Sequence, residues 1–451
     1  MKCLKKTELV MIGLMMFSIF FGAGNLIFPP ALGQSAGESL LPAIFGFLLT
    51  GVGLPLLGIV AIALQGGQYK EFIAEKIHPY FAIGLLSILY LTIGPLFAMP
   101  RTGAVSFEIG ILPFLSGDDE AVGRAVYTGA FYLVTYYLAL NPSKLIDRVG
   151  KLLTPVLLLF LALLFAKSFA SPLGDILEAT GTYAEAPFAQ GFQDGYLTMD
   201  LLASIAIGTL VVNSVRLRGV EGRRSLGKVC ILAGVIALSL MSIVYVSLAH
   251  LGATSASLLG HSDNGGQLLA DAVGIFFGST GNILLAVIIG LACLTTSCGL
   301  ASGCSDFFHR ILGQRISYQR IVLAFTFFSF VASNVGLTAL IRFSVPFLVA
   351  IYPIVIVLVV LSLFDGFIGA RKEVYRYAID FTLVFSILDG LNAAGMDLSM
   401  VNSVLNQYIP FYSIMLGWFF PALAGALLGW AVSALRTGTG RNSCPRAEEE
   451  G

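Results

Sequence analysis

Ser18-Ile19-Phe20-Phe21-Gly22-Ala23-Gly24-Asn25-Leu26-Ile27-Phe28-Pro29-Pro30 sets two glycines and an asparagine inside an apolar run covering roughly 8–29. These residues disfavour continuous helix, and an unwound turn leaves several N–H and C=O groups without intrahelical partners. Within a bilayer such a break is tolerated only around a bound polar ligand or a wet cavity. Free amides of Ala23 and Gly24, at the positive end of the following half-helix, suit a carboxylate, while carbonyls of the preceding half suit a cation. Close helix packing accounts for Gly22 and Gly24 but not for Asn25 beside them. A broken first span is therefore expected.

Outward from this segment, a spanning helix needs about 20 apolar residues, and the hydropathy pattern supplies twelve such stretches. They lie at roughly 8–29, 40–64, 80–105, 123–140, 151–169, 196–215, 227–250, 273–303, 318–334, 337–363, 376–394 and 409–434. Of 451 residues, 57% are hydrophobic and 12% charged. A soluble domain carries about twice that charge, so an ordinary globular protein is excluded. The expected fold class is an all-α polytopic membrane protein with about 12 transmembrane helices. A cytoplasmic tail over 1–7 precedes one integral domain over 8–434, and a disordered cytoplasmic tail over 435–451 follows.

Lys and Arg total 26, as do Asp and Glu, so no general basic field attracts nucleic acid. Counted connection by connection, 22 of the 26 basic residues fall in the tails and even-numbered loops. Arg101, Arg124, Lys167 and Arg342 lie in or at the outer ends of spans, and the odd-numbered loops are acidic. The bias predicts cytoplasmic N- and C-termini. The apolar run after Lys2–Lys6 continues through Phe28 without a small-x-small site, which reads as an uncleaved span. Cys293, Cys298 and Cys304 share one span, Cys230 lies near the inner end of another, and Cys3 and Cys444 fall in the tails, so free thiols are expected. No P-loop, GxSxG or HExxH occurs, which argues against an enzyme and against a cofactor.

An inverted repeat would demand a matching interruption in the sixth span, and Asp200-Leu201-Leu202-Ala203-Ser204-Ile205-Ala206-Ile207-Gly208-Thr209 is the candidate. Ser204, Ala206 and Gly208 also fit a packing stripe, and the two readings stand level. Asp200 is either an outer-end polar residue or an intramembrane functional carboxylate. In the eighth span, Thr295, Thr296 and Ser297 offer hard hydroxyl oxygens suited to an alkali cation. Ala292 precedes the two threonines by three and four residues, so its carbonyl faces the same point. Back-bonding of the hydroxyls to their own helix is the competing reading.

FFGAGNLIFPP, the twelve-span pattern and LACLTTSCGL resemble the bacterial branched-chain amino acid:cation symporter family over about 8–434. That family is in turn similar to the sodium-symporter superfamily, with two five-span inverted repeats and broken first and sixth helices. The resemblance implies repeat one over about 8–169, repeat two over about 196–363 and peripheral helices over about 376–434. It places the substrate carboxylate at Gly22, Ala23 and Gly24, and Asn25 on a first sodium ion. Ala292, Thr295 and Thr296, with carbonyls of Ser18 and Phe21, fall on a second sodium site. SIAIG only loosely matches the superfamily's SxGxG, where Ser204, Ala206 and Gly208 would line the substrate.

The expected function is sodium-coupled import of leucine, isoleucine and valine by alternating access, with sodium, an aliphatic amino acid and the lipid bilayer as partners. No obligatory protein partner is evident. A proton-coupled carrier using Asp200 or Asp389 is the alternative. A non-transporting amino-acid receptor lacks an output domain, and a channel lacks a filter-like loop. Arg342 and Asp380 are read as span-end residues, Arg223 and Arg224 as topology determinants or an inner gate with Asp306, and Lys70-Glu71 with Glu75-Lys76 as a solvated amphipathic loop.

Overall fold

The computed structural model describes residues 5–115, 119–140, 145–369 and 371–440. Lys2, Lys144, Asp118, Cys3, Cys444 and most of the expected C-terminal tail lie outside them. All regular structure among the described residues is helical. In chain order the helices are α1 Lys6–Phe20, α2 Ala23–Ala36, α3 Leu40–Leu48, α4 Leu54–Leu64, α5 Tyr69–Lys76, α6 Pro79–Leu91 and α7 Ala98–Gly110. Next come α8 Glu120–Leu140, α9 Leu145–Ala170, α10 Thr182–Glu185, α11 Pro187–Asp194, α12 Asp200–Arg216 and α13 Arg223–Leu259. The remainder are α14 Gly265–Ile311, α15 Tyr318–Ser333, α16 Leu337–Leu363, α17 Asp365–Ile368, α18 Lys372–Ala393, α19 Ser399–Tyr408 and α20 Phe419–Gly440.

Each of the twelve hydropathy segments overlies one or more of these helices. By length and hydropathy, six continuous helical stretches among the described residues can cross a membrane, and Pro187–Thr198 with Asp200–Arg216 forms a seventh candidate bent by 44°. Leu41, Leu133 and Leu427, each within a predicted span, are 79%, 59% and 62% exposed. Large apolar side chains on the outside are disfavoured in water but suit contact with lipid tails.

Two compact units divide the chain: Met1–Gly67 with Leu85–Leu348, and Gln68–Gly84 with Val349–Gly451. The second gathers the predicted peripheral helices with α5. There Lys76, expected in solvent, is 6% exposed and pairs with Asp365, its ammonium lying over the rings of Phe72 and Tyr375. A buried ammonium requires such partners, and the short amphipathic pattern did not reveal them.

The first unit is built on α2 and α13, where glycine lets two backbones touch. A Cβ on Gly33 would stand 1.9 Å from the Ala249 carbonyl oxygen, and one on Gly252 would stand 2.0 Å from that of Pro30. Neither backbone can yield as a side chain would. Gly33→Ala is therefore expected to cost about 1–3 kcal/mol or more by overpacking. Gly299→Ala in α14 meets nothing within 4 Å and should be neutral or gain up to about 1 kcal/mol of helix propensity. Thermal melting of the two purified variants checks this, and equal melting temperatures would contradict it.

Candidate functional site

α1 ends at Phe20, and Phe21 and Gly22 are extended (φ −73°, ψ 94° and φ −119°, ψ −170°) before α2 restarts at Ala23. The first span is thus interrupted at the predicted glycine. As at any helix start, the first amides of α2 lack intrahelical acceptors. The Gly22 N–H donates to Asn25 Oδ1 at 3.4 Å. Gly22 is half-buried and Ser18 exposed, whereas Ala23 through Phe28 are buried.

Asn25 does more than mark the break. Its Nδ2 donates to Asp200 Oδ2 at 2.8 Å and also to the Tyr245 hydroxyl. Tyr245 in turn donates to Asp200 Oδ2 at 3.2 Å. All three side chains are 3% exposed or less. A buried carboxylate needs donors of this kind, and here they come from α2 and α13 to the first residue of α12. Asn25 is therefore committed to Asp200, Tyr245 and Gly22, an arrangement the sequence reading, which gave it to a sodium ion, did not contain.

The sixth span is also interrupted, but not where small residues suggested. A short 3₁₀ turn, Gly195–Thr198, leads to Met199 in the left-handed region (φ 61°), and α12 then runs unbroken from Asp200 to Arg216. Ser204 and Gly208 lie within that helix, packed on α4: a Cβ on Gly58 would be 2.2 Å from Ser204 Oγ, and one on Gly208 would be 2.7 Å from Ile62 Cδ1. Ser204 Oγ donates to the Leu201 carbonyl at 2.7 Å, and the Ala206 carbonyl accepts from the Tyr90 hydroxyl at 2.6 Å. The expected unwinding over Ser204–Gly208 is thus corrected to Thr198–Asp200. Of the two readings of the small residues, packing is the one the geometry gives for Ser204 and Gly208.

On the eighth span, Thr295 and Thr296 Oγ1 donate to the Ala292 carbonyl at 2.9 and 3.0 Å. This is the back-bonded arrangement, and it draws three oxygens to one point while leaving lone pairs on both hydroxyls. A Cβ on Gly22 would lie 3.6 Å from Thr296 Cγ2, so the first-span break meets Thr296 at its methyl group. Ser297 points elsewhere, accepting from Thr135 on α8 at 3.5 Å.

Arg101 is the residue sequence reasoning missed. Counted there as a span-end charge, it is 4% exposed in α7. Its Nη1 donates to the Leu197 carbonyl at 2.6 Å, its guanidinium carbon lies 5.0 Å from the Phe28 ring centre, and Nη2 would lie 2.8 Å from a Cβ on Gly24. The third span approaches through a π-helical turn, Thr92–Leu96, with non-helical Gly94. Gly94-Pro95 was the available signal.

Of the remaining candidates, Asp306 pairs with Arg310 at 2.8 Å, so the gate imagined with Arg223 and Arg224 is not formed, and both arginines are exposed. Arg342 and Asp380 are exposed, while Asp389 in the second unit is 1% exposed. Cys230, Cys293, Cys298 and Cys304 are free thiols. No cluster of three or more His, Cys, Asp or Glu suited to a metal occurs among the described residues.

A family model described as "Branched-chain amino acid transport protein" matches residues 5–436. Branched-chain amino acid permease BraB of Bacillus subtilis is 48% identical over 94% of this chain and 95% of its own length. Permease BrnQ of the same organism is 44% identical over 97% and 99%. The branched-chain amino acid transport system 2 carrier protein of Pseudomonas aeruginosa is 44% identical over 94% and 96%. Among solved structures, the nucleobase-cation-symport-1 family transporter Mhp1, in a closed conformation with bromovinylhydantoin bound, matches with TM-score 0.55 at 13% identity, covering 96% of this chain and 93% of that one. At that identity the likeness concerns the fold, a multi-span helical transporter.

Proposed function

The chain belongs to the branched-chain amino acid transport protein family, and from that premise we propose that it imports leucine, isoleucine and valine by sodium symport. It is a membrane transport protein and not an enzyme. The twelve spans would cross a bacterial plasma membrane with both termini inside, as the basic-residue bias suggests. The substrate's carboxylate would meet the Ala23 and Gly24 amides at the start of α2, beside Gly22, where the helix dipole favours negative charge. Sodium would bind between the carbonyls of Ser18, Phe21 and Ala292 and the hydroxyls of Thr295 and Thr296. The observation carrying this reading is the meeting of the Phe21–Gly22 break with Thr296. A cation there neutralises the negative end of α1 and orders the turn that receives the amino acid, so ion and substrate would raise each other's affinity. An apolar pocket separates aliphatic side chains by about 1–3 kcal/mol per methylene, so all three branched substrates should be accepted.

Asp200 favours a second reading. A buried carboxylate beside the break, held by Asn25 and Tyr245, could carry a proton in place of sodium. Counterflow of labelled leucine, isoleucine and valine in proteoliposomes with sodium, lithium or potassium outside tests both. Sodium-stimulated exchange of all three supports symport with sodium. Exchange indifferent to sodium but driven by an inward proton gradient would replace that reading with the second.

A further inference from the structure

We propose that Arg101 receives the α-carboxylate of the transported amino acid and so selects amino acids over the corresponding amines, an inference that rests on the substrate reading above. The guanidinium meets α2 at Gly24, one residue before the Asn25 that holds Asp200. A positive and a negative side chain thus flank consecutive residues on the far side of the break. That spacing suits a zwitterion, whose two charges sit on one carbon, better than a ligand with a single charge. Gly24 is what allows the approach: any Cβ there would stand 2.8 Å from Arg101 Nη2.

The guanidinium is also well placed to change partners. It is planar, permanently charged, and matched to a carboxylate through two parallel N–H donors. Its Nη1 here donates to a neutral carbonyl, that of Leu197 in the turn before Met199. Phe28 and Leu197, two of the residues it touches, also line a cavity of about 190 Å³ together with Asp194, Asp263 and Asn264. Arg101 therefore lies against two residues of that cavity's wall. An incoming carboxylate would take the place of the Leu197 carbonyl and add charge-assisted bonds to those of the α2 amides.

The test compares leucine with isopentylamine, which is leucine without its carboxylate, in counterflow by the full-length protein. In Arg101→Lys, the leucine KM should rise at least about tenfold with the maximal rate little changed, while inhibition by isopentylamine stays within about twofold of wild type. Gly24→Ala keeps the charge but pushes the guanidinium tip aside, and should shift the leucine KM in the same direction should the lysine variant fail to fold. An unchanged leucine KM would overturn the proposal, as would equal weakening of leucine and isopentylamine, which marks a structural role. Wild-type protein that exchanges no leucine would overturn the substrate reading and this proposal together. Leucine exchange by wild type with an unaffected Arg101→Lys overturns this proposal alone.

Discussion

Replacing Thr295 and Thr296 together by alanine is expected to raise the sodium concentration for half-maximal leucine uptake about 100-fold, the upper range seen when even supporting groups of a metal site are removed. Both hydroxyls converge on the Ala292 carbonyl at 2.9 and 3.0 Å, and the Thr296 methyl lies against Gly22 at the break. Sodium is a hard cation that binds oxygen, and the double variant takes away the two side-chain oxygens of the site while leaving only main-chain carbonyls. The helix should survive, because hydroxyls bonded to their own turn add little to helix stability. Ser297→Ala is the matched control, since Ser297 faces Thr135 on α8 and should leave sodium dependence unchanged. Sodium titration of uptake in liposomes measures both variants against wild type. A double variant with wild-type sodium dependence would remove the threonines from the account.

Asn25→Ala is expected to lower leucine affinity by about 10–100-fold, because it strips a buried carboxylate of a donor at roughly 1–3 kcal/mol per unsatisfied group. Asn25 ties α2 to both α12 and α13 at this point: it donates to Asp200 and Tyr245 and accepts from Gly22. Its loss frees the turn and leaves Asp200 Oδ2 with the longer Tyr245 bond at 3.2 Å. Tyr245→Phe removes that bond and keeps the shorter one, so its effect should be the smaller of the two. Leucine binding to detergent-purified variants checks the order. Equal effects, or a larger one for Tyr245→Phe, would mean that the network does not work through Asn25.

Much of this was legible in the residues, for a physical reason in each case. The break at Gly22 announces itself because glycine and asparagine together weaken a bilayer helix, and packing alone has no use for the asparagine. The convergence of Thr295 and Thr296 on Ala292 follows from helix geometry alone. The sixth-span break was placed several residues late because its left-handed residue is Met199 and not a glycine. Small residues at Ser204 and Gly208 drew attention instead, although their smallness serves contact with α4. Arg101 was read only as a charge in or at the outer end of a span, since hydropathy gives span limits but not the depth or direction of one side chain. Tyr245 had no signal, because it gains its meaning only from Asn25, 220 residues away in the chain.

The measurement that bears most directly on the central claim is the leucine dissociation constant of the purified protein as a function of sodium, with potassium held as the balancing ion. If the cation orders the turn that receives the amino acid, the two sites share one coupling free energy, and the leucine constant must fall with rising sodium until the ion site saturates. A coupling of about 1–3 kcal/mol makes that fall roughly 5–150-fold, and Thr295→Ala/Thr296→Ala should abolish it. A leucine constant that is the same in sodium and in potassium would contradict the account.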